Sequence, residues 1–290
     1  SSGGLHVIQM LNILDNFNLK KIKHNSSEYI NLLAETMKYA YADRSKYLGD
    51  PDFYNVPIKK VTSKKYANEI SNNIEIGKAA SVEDIYPGKF IENESHETTH
   101  FSVVDKNGNV VSMTYTLNST FGSKVVIKGT GILMNNEMDD FSAAPGIPNQ
   151  FNLLGAEANQ IAPYKRPLSS MTPTIVLKNN ELFFTTGSPG GARIISAVLQ
   201  SILNIVDFDM NLEEATFAKR IHHQWYPDVL EIEFSLDSED EAELRKMGYS
   251  TSIILPLTCL QTIMFKEDTY YGYGDFRRVD ALASGDINDW

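Results

Sequence analysis

The pattern of apolar residues changes period at Thr98, and that change constrains the fold more than any other feature of the chain. Before it, apolar side chains recur at helical spacing: Val7, Ile8, Leu11 and Leu14 in residues 5–17, then Ile30, Leu33, Ala34, Met37 and Tyr41 in residues 27–48. Such stripes predict two core-packing helices, the second stopped by Gly49 and Pro51. After it, residues 99–104 and 109–117 alternate around Lys106-Asn107-Gly108, and 172–178 and 182–186 flank Asn179-Asn180, which predicts two β-hairpins. The chain therefore mixes α and β elements, a description that many architectures satisfy.

Other segments are read the same way. Residues 50–97 are polar, broken by Pro51, Pro57 and Pro87, and are expected to form an exposed loop. Residues 118–171 are rich in Gly, Pro and Asn and longer than a connection requires, as binding loops or lids are. The second hairpin runs through Gly187-Ser188-Pro189-Gly190-Gly191 into a helix predicted over 194–206, so backbone N–H groups of the turn are expected to be available to an anion. A capping box at Asn211 and a stop at Gly248 mark two further helices.

Charge and composition narrow the function. The net charge is −11; residues 1–97 carry 12 basic against 13 acidic side chains, and residues 98–290 carry 14 against 24. An acidic surface repels phosphate backbones, so nucleic acid is not an expected partner. No apolar run approaches a membrane span. A single cysteine, Cys259, excludes an intrachain disulfide framework. Neither a G-x-S-x-G elbow, a Walker A loop nor an H-E-x-x-H pair is present, and adjacent His222 and His223 on a strand read as polar surface or hydrogen-bonded residues. No cofactor or metal is expected. The opening Ser1-Ser2-Gly3-Gly4 reads as a cut from a longer sequence. What remains is Thr98-Thr99 at the mouth of a strand: such a pair is accounted for by β propensity alone, or one hydroxyl is a nucleophile whose own α-amine, released by chain cleavage, acts as base.

The stretch from Thr98 to Asp105, with TYTLNSTFG (114–122), NNEMDDFS (135–142), KRPLSSMTPT (165–174) and GSPGGAR (187–193), resembles the small subunit of γ-glutamyltransferase, an N-terminal-nucleophile hydrolase. SSGG and AYADRSKYLGDP (40–51) resemble the end of its large subunit. The resemblance implies an α+β, four-layer αββα sandwich divided into residues 1–97, the end of the large subunit, and 98–290, the small subunit. It implies self-cleavage between Glu97 and Thr98, Thr98 as nucleophile, Thr116 as its orienting partner, and Gly190 with Gly191 as oxyanion hole. It assigns the substrate's α-amino group to Asn118, Glu137 and Asp140, and its α-carboxylate to Ser169 and Ser170. A lid residue is Phe151, where many bacterial members carry tyrosine; a further carboxylate-binding arginine is implied upstream. The implied substrates are glutathione-like γ-glutamyl amides, with water, amino acids or peptides as acceptors, in the periplasm or outside the cell. Poly-γ-glutamate cleavage, another amide acylase activity, and a non-catalytic binding relative are the alternatives.

Overall fold

A computed structural model describes residues 2–85, 98–142, 144, 146–150 and 152–285. The two helical stripes form α1 (Gly3–Leu14) and α2 (Ser27–Tyr47), the latter capped by Ser26, whose side chain accepts from the Tyr29 N–H. They pack with α5 (Arg193–Val206) around Met10, Ile13, Leu33, Met37, Ile195 and Leu199, all essentially sealed from solvent. Each such side chain contributes about 1.5–3 kcal/mol of transfer free energy, so segments from both sides of residue 98 share one core.

Residues 50–85 are not the loop that their polarity suggests. They hold α3 (Ile58–Val61) and α4 (Lys64–Ser71), the second capped by Ser63, and bury Val61, Ala67, Ile70, Ile74, Val82 and Ile85. Two turns of helix need only one inward residue per turn, so a Lys- and Asn-rich stretch can still dock. The Trp225 indole fixes the far end by donating to the Val82 and Ile85 carbonyls, at 3.2 and 2.8 Å.

The hairpins form where alternation places them. Strands β1 (Thr99–Val104) and β2 (Val110–Tyr115) pair antiparallel with Thr99 opposite Tyr115. Strands β3 (Thr174–Lys178) and β4 (Glu181–Thr186) join β8 (Gln261–Lys266) and β9 (Thr269–Gly274) in an antiparallel sheet of order β3-β4-β8-β9. A smaller sheet, β5 (Ile221–His222), β6 (Leu230–Glu233) and β7 (Thr251–Ile254), contains a parallel β6–β7 pair joined through α7 (Ser238–Lys246). Helix α6 (Leu212–Phe217) carries the expected capping box at Asn211.

The first hairpin packs on β4 and β8 through polar side chains. Register partners Ser102 and Ser112 donate to the Gln261 and Thr186 carbonyls, at 3.0 and 3.2 Å, and Ser112 also accepts from the Thr174 N–H. The other face of the hairpin is apolar and open: Phe101, Val103, Val111, Met113 and Tyr115 are 43% to 58% exposed.

Both histidines of the 222–223 pair are buried rather than at the surface. His222 hydrogen-bonds Ser196 (2.8 Å) and His223 pairs with Asp228 (3.2 Å), which accounts for their polarity as strand-end hydrogen bonding.

Candidate active site

Register carries the first two residues together. With Thr99 opposite Tyr115, Thr98 falls opposite Thr116, and the Thr98 hydroxyl donates to Thr116 Oγ1 at 3.3 Å. Thr116 Oγ1 also accepts from the Asn118 N–H at 2.8 Å, a turn that Asn118 closes with a positive φ of 74°. Asparagine tolerates that conformation better than most side chains. The result is a half-buried threonine hydroxyl held by a second hydroxyl at the strand entrance.

Behind it, Arg278 reaches the Thr98 carbonyl at 3.5 Å. That arginine follows a buried ion cluster in which Arg220 bonds Asp275 (2.7 Å) and Arg277 bonds Glu233 (2.9 Å). The same cluster holds Thr258, whose hydroxyl donates to Glu233 at 2.7 Å and accepts from Arg220 at 2.9 Å.

Thr258 backs the glycine turn. A side chain at Gly190 (φ 132°) would place its Cβ 2.9 Å from Thr258 Cγ2 and 3.0 Å from the Leu257 carbonyl, so the turn requires glycine there on two grounds. Gly191 also has positive φ, 55°. Among the described residues neither N–H has a hydrogen-bond acceptor, as the strand–turn–helix pattern anticipates. The turn and the hairpin touch at Gly187, where a Cβ would lie 2.2 Å from the His100 ring. Burial lowers that imidazole to about 4, so it is neutral at pH 7 and serves as a packed hydrogen-bonding ring to Thr114 (2.8 Å).

A second group forms around a small cavity lined by Arg44, Asp140, Asn149, Leu153 and Leu168. Asn118 Nδ2 donates to the Asn136 carbonyl (3.3 Å), which ties the Thr116 turn to a 3-10 turn over Glu137–Asp140. That turn is fixed from behind: Asp139 accepts from the Gln150 N–H (2.8 Å) and the Asp140 carbonyl accepts from Asn159 Nδ2 (2.7 Å). Glu137 and Asp140 are close enough to share a hydrogen bond. Burial, then the neighbouring Glu137, pushes the Asp140 carboxyl up to about 8 against the pull of Arg44; burial raises Glu137 as well. At pH 7 the pair therefore holds a proton, with Glu137 Oε1 unpartnered among the described residues.

Ser169 and Ser170 complete the group. Ser2 at the start of α1 clamps the Ser169 carbonyl with its N–H (2.9 Å) and its hydroxyl (2.8 Å), and Gly3 sits where a Cβ would strike Thr172 at 2.1 Å. Arg44 Nη2 donates to Ser170 Oγ (3.1 Å) and Nε to Ser2 Oγ (3.2 Å). Sequence reasoning missed Arg44. The signal was present: the α2 stripe of 30, 33, 34, 37 and 41 continues to 44, which puts a cation on the buried face.

The structure thus joins Thr98, Thr116 and Asn118 by direct bonds. Arg44 and Asp140 line the cavity, Glu137 adjoins it through Asp140 and Ser170 through Arg44, Ser169 is held by Ser2, and Asn118–Asn136 ties the two groups. Glu97 and Phe151 lie outside the described residues. Cys259 is buried and its thiol is pushed up to about 11, chiefly by burial, which leaves no reactive thiolate to compete.

A family model described as gamma-glutamyltranspeptidase matches residues 1–285. The chain belongs to the γ-glutamyltranspeptidase family. It is 50% identical over 286 residues to the glutathione hydrolase proenzyme of Escherichia coli K12, an alignment covering 98% of this chain and 49% of that one. The chain therefore spans about half the length of the curated relatives it matches. A crystal structure of Helicobacter pylori γ-glutamyltranspeptidase superposes with a TM-score of 0.61 at 49% identity, covering 62% of this chain and all of that one. A cephalosporin acylase from Bacillus halodurans shares the fold alone, with a TM-score of 0.78 at 24% identity over 95% of this chain and 48% of that one. The fold is the α+β sandwich of the N-terminal-nucleophile hydrolases, of which the γ-glutamyltranspeptidase family is a part. No helix among the described residues is long and apolar enough to cross a membrane.

Proposed function

We propose that this chain is the nucleophile-bearing portion of a self-cleaving γ-glutamyl transferase and glutathione hydrolase. The observation that carries the reading is the Thr98–Thr116 hydroxyl pair at the mouth of β1. Cleavage between Glu97 and Thr98 leaves Thr98 with a free α-amine, which divides the chain into residues 1–97 and 98–290. A relative whose whole solved chain aligns to 62% of this sequence supports such a division, as does the word proenzyme in the relatives' names.

In the first half-reaction the α-amine takes the Thr98 hydroxyl proton and Oγ1 attacks the γ-glutamyl carbonyl. The tetrahedral oxyanion is held by the N–H groups of Gly190 and Gly191, donors of a kind typically worth about 2.7–4 kcal/mol each. Collapse breaks the C–N bond, the amine leaves with the proton, and an ester to Thr98 remains. Water, or the amine of an amino acid or peptide, then gives up a proton to the same base and attacks the ester carbonyl; the acyl C–Oγ1 bond breaks, Oγ1 takes the proton back from the base, and the glutamyl group leaves on the acceptor. Thr116 holds the nucleophile's rotamer.

The glutamyl head is a zwitterion, and we assign its ammonium to Asn118, Glu137 and Asp140 and its carboxylate to Ser169 and Ser170, a reading supported by the links among Asn118, the Glu137–Asp140 turn, Arg44 and Ser170. Because the chain spans half of its relatives' length, an upstream portion of the precursor is the partner we assign to the open apolar face of β1–β2. Export to the periplasm or beyond is part of the same reading, tested by fractionation of cells carrying the whole precursor. For the chemistry, Thr98→Ala in the whole precursor should remain uncut and fail to release p-nitroaniline from γ-glutamyl-p-nitroanilide. Normal cutting and turnover by that variant would remove Thr98 from the reaction.

A further inference from the structure

Arg44 is 5% exposed, and its described partners are the hydroxyl oxygens of Ser2 and Ser170. Among the described residues no carboxylate lies within ion-pair distance of it, although Asp140 lines the same cavity. A buried cation that has no ion pair and only the longer-range attraction of Asp140 is costly unless something completes its surroundings. The chemistry of the contact says what does. A guanidinium can only donate, whereas a serine hydroxyl has one proton to give and two lone pairs to receive with. Ser170 Oγ must therefore accept from Arg44, and its own O–H is left to donate elsewhere. Ser2 shows the same consequence: it accepts from Arg44 and sends its proton to the Ser169 carbonyl.

We propose that Arg44 is a positioning residue that, by donating to Ser170, leaves the serine O–H free to donate and sets a positive charge behind it, so that the site selects a free α-carboxylate over an uncharged α-carboxamide. A carboxylate oxygen only accepts, which matches the O–H that the Arg44 contact leaves free to donate, and its charge is favoured by the cation behind the serine. Without Arg44 the Ser170 hydroxyl loses the partner that orients it, and the field that favours a charged carboxylate over a neutral carboxamide is gone. This rests on the γ-glutamyl reading of the site.

The test uses the whole matured precursor with two donors, γ-glutamyl-p-nitroanilide and the same molecule with its α-carboxylate replaced by a carboxamide. Wild-type protein should prefer the carboxylate donor. Arg44→Gln should cut that preference by about tenfold or more, mainly through KM, as loss of one charge-assisted contact does. Ser170→Ala should cut it by a similar factor, and the double variant should add little, because one acts through the other. Arg44→Lys, which keeps a donor-only cation, should restore part of the preference. Equal losses for both donors in Arg44→Gln, or effects of the two substitutions that multiply, would overturn the assignment. If Arg44→Gln does not mature, Ser170→Ala and Arg44→Lys still decide: an unchanged preference in Ser170→Ala sinks the proposal. Failure of the underlying reading looks different, because wild-type protein would then release p-nitroaniline from neither donor.

Discussion

On the proposed assignment of Asp140 to the substrate ammonium, the proton held between Glu137 and Asp140 makes binding of a glutamyl head group dependent on pH. Asp140 must be ionised to pair with an ammonium, and burial beside Glu137 holds its carboxyl at about 8. The sign follows: for an acid raised this far, the ionised form is scarce below pH 8 and plentiful above it. At pH 7 about one site in ten is ready, so binding carries a penalty of about 1.4 kcal/mol, or tenfold, relative to a fully ionised site. At pH 6 the factor is about a hundredfold, while Arg44 works against the rise and Asp139 with it. The suitable ligand is free L-glutamate, which carries the same head group and undergoes no transfer, and Glu137→Gln separates the Asp140 proton from that of the Thr98 amine. Calorimetry in buffers of different ionisation enthalpy should show release of about one proton per glutamate bound at pH 7, falling toward zero above pH 8. Glu137→Gln removes the like-charged neighbour, so the midpoint should move to lower pH and the proton released at pH 7 should shrink. Affinity that is flat from pH 6 to pH 8, with no proton release in either protein, would refute the reasoning.

Two further substitutions follow from glycine contacts. Gly190→Ala forces a Cβ to within 2.9 Å of Thr258 at a φ of 132°, so the N–H groups proposed as oxyanion donors should be displaced and kcat should fall about 10²–10³-fold with little change in KM; unchanged kcat would take the turn out of the site. Gly187→Ala places a Cβ 2.2 Å from the His100 ring, and the hairpin must move away from the turn. A stability loss of about 1–3 kcal/mol in urea melts of the whole precursor is expected, together with a matching loss of turnover; a wild-type melt would show that the hairpin and turn are not packed as described.

Much of this architecture was legible in the residues, and the exceptions have physical causes. Alternation located β1 and β2, but it could not say which face turns inward. Here the polar face, with His100, Ser102 and Ser112, meets the sheet, and the apolar face with Phe101, Val103 and Tyr115 is open. Helix α4 was hidden because docking a short helix takes only Ala67 and Ile70, which average out among lysines and asparagines. The Thr98–Thr116 pairing could be anticipated from hairpin register, since same-face residues recur every two positions. Arg44 needed the opposite argument, a charge that continues an apolar stripe. The linkage of Glu137 with Asp140 could not be read from sequence, because the 3-10 turn that gathers them is held by Gln150 and Asn159 from distant loops.

The most direct test of the central claim is the N-terminal residue of the C-terminal fragment, read by intact mass and N-terminal sequencing of the freshly expressed whole precursor. Wild-type protein should yield a fragment that begins at Thr98, and Thr98→Ala should give an uncut chain. A fragment beginning at any other residue, or one that forms unchanged in Thr98→Ala, would contradict that claim.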